Sequence, residues 1–314
     1  MAQRTRLAID RTITVDINGS PQRIRLCAES TGLPPLLVVQ GGPGLPMLDE
    51  VAKFQRLLNL EKDFLVGYWE QRGCGDVSPH DTESVSLQRQ VADLRAALQW
   101  LYAETKQRIV ILGISWGATI ALQAVEHERD RAKAIVAISP DLHTASSDAS
   151  AHAFLQAQSV RATSRRLRRR VMKLGTPPYG DSTTYQRRAT LLADLGTIER
   201  GKTFVTLFRE TLFGLIRTYG VVGAVRVLRN MNLVQGKMLP DLLSLDLFAN
   251  PPRLPIPVHY VFGEQDVLSP AAVVKKLPAA IASPASSVVR LQDAGHMAHF
   301  DQPGIVRTIA MNAV

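Results

Sequence analysis

The stretch that decides the fold is "RIVILGISWGATIAL", residues 108–122. An apolar run typical of a buried parallel strand leads into "GISWG" (113–117), and a helical pattern follows directly. A G-x-S-x-G motif between a strand and a helix indicates a nucleophile elbow, where small residues on both sides of the serine permit a sharp turn. The alternative interpretation is that Ser115 only caps the helix.

Strands and helices alternate on both sides of this motif. Two segments with alternating polarity, joined by "NGSP", predict an antiparallel hairpin at 10–17 and 22–29. Continuous apolar runs with helical patterns between them predict buried parallel strands at 35–40, 63–69, 108–113 and 132–139. We therefore expect an α/β fold with a mostly parallel central sheet and helices on its faces.

The alternation is interrupted in the second half of the chain. Between 142 and 250 the patterns are helical, and strand patterns resume at 254–263 and 286–292. We predict an α/β core formed by 1–141 and 251–314, with a helical cap domain at 142–250. Apolar residues at helical spacing in the cap are expected either to pack against the core or to line an acyl pocket; they are Phe204, Phe208, Leu212 and Phe213.

Composition excludes several classes of protein. The 314 residues carry a formal net charge of +9, and 161–170 contains six arginines. That stretch lacks base-reading aromatic residues, so we interpret it as a solvated helix face, with an anionic partner as the alternative, and we expect no nucleic-acid partner. No apolar run reaches about 18 residues, which argues against a membrane span, and the absence of a signal-like N-terminus favours the cytoplasm. Cys27 and Cys74 lack the spacing of a metal site or a disulfide framework.

A serine nucleophile needs a base and an orienting carboxylate, which follow it in the order acid, then histidine. Asp266 lies in the loop after one predicted strand, and His296 lies in the loop after the next. Two rival carboxylates, Asp293 and Glu264, are close to these positions. We predict the triad Ser115, Asp266 and His296.

The prediction also covers a second histidine near His296 and the two backbone N–H groups of an oxyanion hole. His299 lies three residues beyond His296 and is expected to be a loop or packing residue. An oxyanion hole requires two N–H donors, one from the residue after the nucleophile, Trp116. The second is expected from Gly42 in "VVQGGPG" (38–44), a glycine-rich loop that permits close approach to a substrate.

Five motifs together resemble the proline iminopeptidase group of α/β-hydrolases. They are "QGGPG" (40–44), "YWEQRGCGDVSP" (68–79), "GISWG" (113–117), "GEQD" (263–266) and "AGHMAHFDQP" (294–303). The resemblance covers about 30–140 and 254–314. It implies an α/β-hydrolase fold with a helical cap, the roles assigned above, and no cofactor.

The chain departs from the group at several positions. Gln40 replaces the usual histidine of HGGPG, Glu70 replaces the aspartate of DQRG, and Asp76 and Val77 disturb the rest of that second motif. Iminopeptidases use cap glutamates to hold the substrate amine, often beside tryptophan, whereas all three tryptophans here lie in the core segments. The predicted cap contains two glutamates, Glu199 and Glu210, which are candidates for binding a substrate ammonium or are solvated charges.

These observations predict a serine hydrolase that acts through an acyl-enzyme on a small molecule or short peptide. Release of an N-terminal proline, or a related small amide, is the first choice by resemblance. A carboxylesterase, a lactonase or an amide hydrolase of a specialised pathway is the alternative within this class. A hydrolase fold retained as a non-catalytic ligand-binding protein and a nucleic-acid-binding protein are alternatives from other classes. The oligomeric state stays open.

Overall fold

The protein is built on one eight-stranded sheet in the order β1-β2-β4-β3-β5-β6-β7-β8. A computed structural model describes residues 7–78, 82, 84–162 and 164–314. The strands are β1 Ile9–Ile17, β2 Ser20–Ala28, β3 Pro35–Val39, β4 Leu65–Glu70, β5 Ile109–Ile114, β6 Ala132–Ile138, β7 Val258–Gly263 and β8 Ser286–Leu291. The first two strands form the predicted hairpin, and β2 pairs antiparallel with β4. All the other pairings are parallel.

Helices cover both faces of the sheet and fill the connection between β6 and β7. They are α1 Val51–Leu57, α2 Leu87–Thr105, α3 Trp116–Ala124, α4 Thr144–Arg161, α5 Arg165–Met172, α6 Ser182–Asp194, α7 Phe204–Leu243, α8 Ala271–Val274, α9 Leu277–Ala280, α10 Ala298–Asp301 and α11 Pro303–Met311. This architecture confirms the predicted fold class, an α/β fold with a mostly parallel sheet.

The central strands show why the sequence has continuous apolar runs. Successive side chains of a strand point to opposite faces of the sheet. In β3, Leu37 and Val39 belong to the apolar cluster on one face, whereas Leu36 and Val38 belong to the cluster on the other. Because helices cover both faces, every position of such a strand must be apolar.

The segment between β6 and β7, called here the helical insertion (142–250), contains α4 to α7. Its longest helix, α7, bends at Gly220, where the backbone leaves helical geometry at φ 71° and ψ 175°. Beyond the bend, Val234, Met238 and Leu242 join the apolar cluster that packs on the sheet. The second half of α7 is therefore part of the core packing, and the division into core and cap domains stays a prediction. Pro79 and Thr163, which belong to stretches singled out in the sequence, lie outside the described residues.

Candidate active site

Ser115 occupies the turn between β5 and α3 with φ 50° and ψ −120°, a backbone conformation that few residues other than glycine adopt. The turn fits only because its flanking glycines have no side chain. A Cβ on Gly113 would lie 2.6 Å from the Cα of Ala118, and one on Gly117 would lie 2.1 Å from the carbonyl oxygen of Val39. The predicted sharp elbow is therefore present, and it places the Ser115 side chain at the carboxyl end of the sheet.

The side chains of His296 and Asp266 meet Ser115 at this edge, from the loops after β8 and β7. The Oγ of Ser115 lies 2.9 Å from Nε2 of His296, and Nδ1 of His296 lies 3.0 Å from Oδ2 of Asp266. The other carboxylate oxygen of Asp266 accepts the backbone N–H of Leu268 at 2.9 Å. All three predicted residues are thus brought into one hydrogen-bonded chain and are at least nine-tenths buried.

The pKa values of Asp266 and His296 are shifted by burial and by the interaction between the two side chains. Burial raises the pKa of Asp266, but the attraction of His296 and the hydrogen bond from His296 outweigh it, so the pKa lies below its usual value. Burial lowers the pKa of His296, but the charge of Asp266 and their hydrogen bond outweigh it, so the pKa lies above its usual value. The arrangement combines an ionised carboxylate with a more basic imidazole, which favours proton transfer from Ser115.

The two rival carboxylates and the second histidine lie elsewhere. Asp293 forms an exposed ion pair with Arg200 at 2.7 Å, and the side chain of Glu264 is exposed. His299 is fully buried, and its ring stacks on Phe54 with 5.4 Å between ring centroids. Burial holds the pKa of His299 well below its usual value, so it packs as a neutral ring.

The two backbone groups predicted to form an oxyanion hole lie beside Ser115. The N–H groups of Gly42 and Trp116 donate no hydrogen bond within the described part of the chain. Gly42 lines the cavity that contains Ser115, while the indole of Trp116 points into the core and donates to Gln90 at 2.7 Å. Among the described residues neither N–H group has an acceptor, so both are available to donate to a ligand oxygen.

Gln40, which replaces the histidine of the related motif, holds the loop that carries Gly42. Its Oε1 accepts the N–H of Gly41 at 3.0 Å, and its Nε2 donates to Glu50 at 2.6 Å. The amide side chain therefore links the glycine-rich loop to the residue that precedes α1.

A carboxylate that the sequence analysis did not single out also contacts the nucleophile position. Asp141 follows β6, and its Oδ2 lies 3.3 Å from the Oγ of Ser115, whose single proton can be directed either to Asp141 or to Nε2 of His296. Burial raises the pKa of Asp141, and repulsion from Asp266 adds to the rise, against the attraction of His296 and Arg188. The available signal was the position of an acid directly after a predicted buried strand, because such residues share the sheet edge with Ser115.

Ser115 lines a cavity of about 190 Å³ between the sheet edge and the helical insertion. Its wall is mainly apolar and includes Leu45, Ile198, Leu239, Leu242, Leu268 and Met297. Arg188 of α6 also lines it; the guanidinium forms an ion pair with Asp148 and lies 4.1 Å from the ring centroid of Tyr185. The Nε of Arg188 is buried without a partner among the described residues. The cavity therefore combines an apolar surface with one acidic side chain, Asp141, and one cationic side chain, Arg188.

Glu199 and Glu210 lie outside this cavity. They line a neighbouring depression of about 370 Å³, which shares Leu45, Ile198 and Met297 with the first. Lys53 and Lys202 each lie 2.7 Å from an oxygen of Glu199, and Lys202 also lies 2.5 Å from Glu210. Both glutamates are therefore neutralised by lysines in this structure, and their role in binding a substrate amine stays a prediction.

The sequence pattern of the α/β hydrolase fold family matches residues 34–303. The chain belongs to this family. Within the hydrolase family, the chain is similar to a probable aminopeptidase, YbaC, from Bacillus subtilis (strain 168), with 23% identity over 93% of this chain and 92% of the relative. A proline iminopeptidase from Heyndrickxia coagulans is 31% identical over 41% of this chain and 42% of its own length.

Solved structures support the same assignment at the level of the fold. The crystal structure of a proline iminopeptidase from Mycobacterium smegmatis superposes with a TM-score of 0.66 at 17% identity, covering 96% of this hydrolase chain and 97% of the other. The resemblance to proline iminopeptidase-like hydrolases, inferred from five short motifs, is confirmed by these relatives. The family and its named members establish a hydrolase fold.

Proposed function

We propose that the protein is a serine hydrolase that acts through an acyl-enzyme, with Ser115 as nucleophile, His296 as base and Asp266 as orienting carboxylate. One observation carries this proposal: the 2.9 Å and 3.0 Å contacts that join Ser115 to His296 and His296 to Asp266 at a strained elbow. Removal of a proton makes a serine hydroxyl nucleophilic, and this geometry places an imidazole nitrogen in position to remove it.

The reaction proceeds in two halves. His296 takes the proton of Ser115 as the hydroxyl attacks the substrate carbonyl, and the N–H groups of Gly42 and Trp116 bind the resulting oxyanion. His296 then protonates the leaving amine or alcohol, which departs and leaves the acyl group on Ser115. Water, deprotonated by His296, attacks this ester, and the collapse of the second tetrahedral intermediate releases the acid and regenerates Ser115. Each of these steps is carried out by protein groups and water.

For the substrate, we propose a residue with a free α-amino group, released from the N-terminus of a short peptide or small amide. Asp141 supports this choice because its carboxylate lies 3.3 Å from the Ser115 oxygen. An α-ammonium is two bonds from the scissile carbonyl carbon, so it would reach Asp141 when that carbon reaches Ser115. The similarity to a probable aminopeptidase and to a proline iminopeptidase supports the same choice.

The test compares the wild type with Ser115→Ala on two substrates, a proline arylamide and a short-chain aryl ester. We expect the wild type to favour the arylamide, and Ser115→Ala to lose activity on both. An acyl adduct on Ser115, trapped at low pH and located by peptide mass spectrometry, would report the intermediate directly. The compartment that we propose remains the cytoplasm, which suits the two free, buried cysteines.

Other outcomes lead to different conclusions. Cleavage of the ester alone, with the same dependence on Ser115, would keep the nucleophile and replace the peptidase assignment with the esterase or lactonase alternative. Hydrolysis that survives in Ser115→Ala would remove Ser115 from the mechanism. Ligand binding without turnover of either substrate would favour the non-catalytic alternative.

A further inference from the structure

The excess positive charge of this protein is confined to the helical insertion. Residues 142–250 contain 16 lysines and arginines against 7 aspartates and glutamates, a net charge of +9. The rest of the chain contains 21 of each sign and is formally neutral. The insertion therefore carries the whole formal charge of the protein, although it makes up about a third of the residues.

The same insertion leaves an apolar stripe in contact with solvent. Val205, Phe208, Leu212 and Ile216 follow each other at intervals of three and four residues in α7, which places them on one side of the helix. Val205 is 61% exposed, Phe208 and Ile216 are exposed, and Leu212 is half-buried. The apolar residues at helical spacing were expected to pack against the core or to line an acyl pocket. In the structure Phe204, Phe208 and Phe213 are exposed, and Phe213 also lines the depression beside Glu199 and Glu210.

Further exposed apolar and cationic side chains extend this surface. Phe213, next to the stripe, is 71% exposed, and the exposed arginines Arg209 and Arg217 lie on the same turns of α7. We call the exposed residues of 204–217 the α7 surface. An exposed apolar side chain is common alone, but a continuous stripe of them marks an interaction site.

The arginine-rich helix α5 adjoins the start of the α7 surface through Asp194. The carboxylate of Asp194 accepts a hydrogen bond from Arg170 of α5 at 2.7 Å and one from the backbone N–H of Phe204 at 3.3 Å. Met172, at the end of α5, is 82% exposed beside arginines that face solvent. Exposed apolar residues and arginines therefore occur together on both sides of this junction.

We propose that the α7 surface and α5 dock the protein on an anionic lipid bilayer. Apolar side chains surrounded by arginines suit the boundary between headgroups and acyl chains, where the apolar groups enter and the guanidinium groups contact phosphates. The acyl chains of such a bilayer can accommodate the apolar side chains, and its phosphates can bind the arginines. A polar, uncharged surface offers neither kind of contact. The inference concerns binding alone and does not depend on the proposed reaction.

Three other occupants fit the observations less well. By length and composition α7 could cross a membrane, but Val234, Met238 and Leu242 pack in the core, so the helix lies on a bilayer and does not span it. A symmetric dimer through the α7 surface would bring two cationic insertions together, and like charges repel. A nucleic acid would neutralise the arginines but would leave the stripe in water.

The test measures cosedimentation of the full chain with phosphatidylcholine vesicles, with and without phosphatidylglycerol. We expect binding to the anionic vesicles that weakens as salt is added, because salt screens the charge attraction. Phe213→Ser should weaken binding by about tenfold or more, since a large side chain no longer leaves water. Arg209→Gln with Arg217→Gln should weaken it as well. Ile305→Ser provides the control, because Ile305 is an apolar residue on α11, outside the insertion, and is 46% exposed.

Folding of each variant is checked by its urea unfolding curve, which all four substitutions at exposed sites should leave nearly unchanged. The proposal is overturned if wild type fails to bind anionic vesicles, or if Phe213→Ser binds them as the wild type does. A concentration-dependent dimer that Phe213→Ser abolishes would replace the lipid with a second copy. Salt-sensitive binding to duplex DNA without binding to vesicles would replace it with a nucleic acid.

Discussion

The backbone N–H of His296 donates a hydrogen bond to the carbonyl oxygen of Thr197 at 2.9 Å, so the proposed base is attached to the helical insertion as well as to the sheet. The next residue repeats the contact, with the N–H of Met297 bonded to Ile198 at 2.7 Å. The carboxylate of Asp301 joins the two segments again, accepting the N–H of Gly295 at 2.8 Å and of Arg200 at 2.9 Å. The insertion and the histidine loop therefore form one hydrogen-bonded unit.

Asp301→Ala is expected to lower kcat by about tenfold to a hundredfold while changing KM much less. Loss of both hydrogen bonds would let the His296 loop shift, and small displacements of a base are costly. Steady-state kinetics on the Ser115-dependent substrate provide the measurement. Asp301→Asn should recover part of the rate, because an amide oxygen still accepts one of the two bonds.

The control for this substitution is Asp293→Ala. Asp293 lies in the same loop, but its side chain is exposed and pairs with Arg200 alone among the described residues. We expect its kcat to stay within about twofold of the wild type. Equal losses from the two alanine variants would indicate that Asp301 stabilises the loop in general without positioning His296.

The pH dependence of kcat/KM should follow the neutral form of His296, which is the form that accepts the Ser115 proton. Because Asp266 raises the pKa of His296 above its usual value, activity should fall on the acid side with a midpoint above that value. Asp266→Asn removes the negative charge, so the midpoint should move to lower pH. The same variant should lose about 10³- to 10⁴-fold in kcat, because an amide favours the wrong imidazole tautomer.

A pH–rate profile of wild type and Asp266→Asn on the same substrate tests both statements. A midpoint that moves to higher pH in the variant would mean that the charge of Asp266 does not control the histidine. A rate that is unchanged would assign the orienting role to another carboxylate.

Asp141→Asn is expected to slow the hydrolysis of substrates that have a free α-amino group more than that of substrates without one. The variant should lose about tenfold or more in kcat/KM on a proline arylamide, because one charge-assisted contact to the ammonium is removed. It should leave the hydrolysis of an acetate ester nearly unchanged. Since burial raises the pKa of Asp141 and the ammonium needs the ionised carboxylate, the preference of the wild type for the amine substrate should grow as pH rises.

Glu199→Gln serves as the comparison for that experiment. Its carboxylate already binds Lys53 and Lys202, so we expect a smaller effect on the arylamide than that of Asp141→Asn. A larger loss of arylamide hydrolysis in Glu199→Gln than in Asp141→Asn would instead assign amine binding to the predicted cap glutamates. Equal losses on arylamide and ester in Asp141→Asn would show that Asp141 acts by holding the Ser115 hydroxyl.

Gly117→Ala should destabilise the protein by about 1–3 kcal/mol or more, because the new Cβ would lie 2.1 Å from the Val39 carbonyl oxygen and 2.5 Å from that of Gln40. Gly236→Ala in α7 is the matched control, since a Cβ at that position would have no atom within 4 Å beyond its own helix backbone. It should raise the free energy of unfolding by up to about 1 kcal/mol, because alanine favours helix. Urea unfolding of both variants measures the difference, and equal stabilities would show that the elbow relaxes without cost.

Local pattern predicted the sheet well. The apolar run at 132–139 became Ala132–Ile138, and the alternating hairpin at 10–17 and 22–29 became Ile9–Ile17 and Ser20–Ala28. These elements are set by the period of burial along the strand, which the sequence displays directly. The positions of Asp266 and His296 along the chain could also be identified from the sequence, because each residue follows a predicted strand and both strands end at the same edge of the sheet.

Contacts across the insertion could not be predicted in this way. The lysines that neutralise Glu199 come from α1 and from a loop before α7, and no local pattern links Lys53 to a residue 146 positions away. The same reason hides the approach of Arg188 to the cavity. The outward direction of the α7 stripe was also missed, because helical spacing identifies a face without identifying what covers it.

The uneven charge of the chain gives the folded molecule a permanent dipole moment, with its positive end at the insertion. A field exerts a torque on such a molecule, so it rotates before any contact is made. At physiological ionic strength the Debye length is about 8 Å, and the rotation is therefore confined to the last nanometre of approach. Successive molecules that arrive at a negatively charged surface would then meet it with the same side, and a uniform orientation would hold the Ser115 cavity at a constant height above that surface.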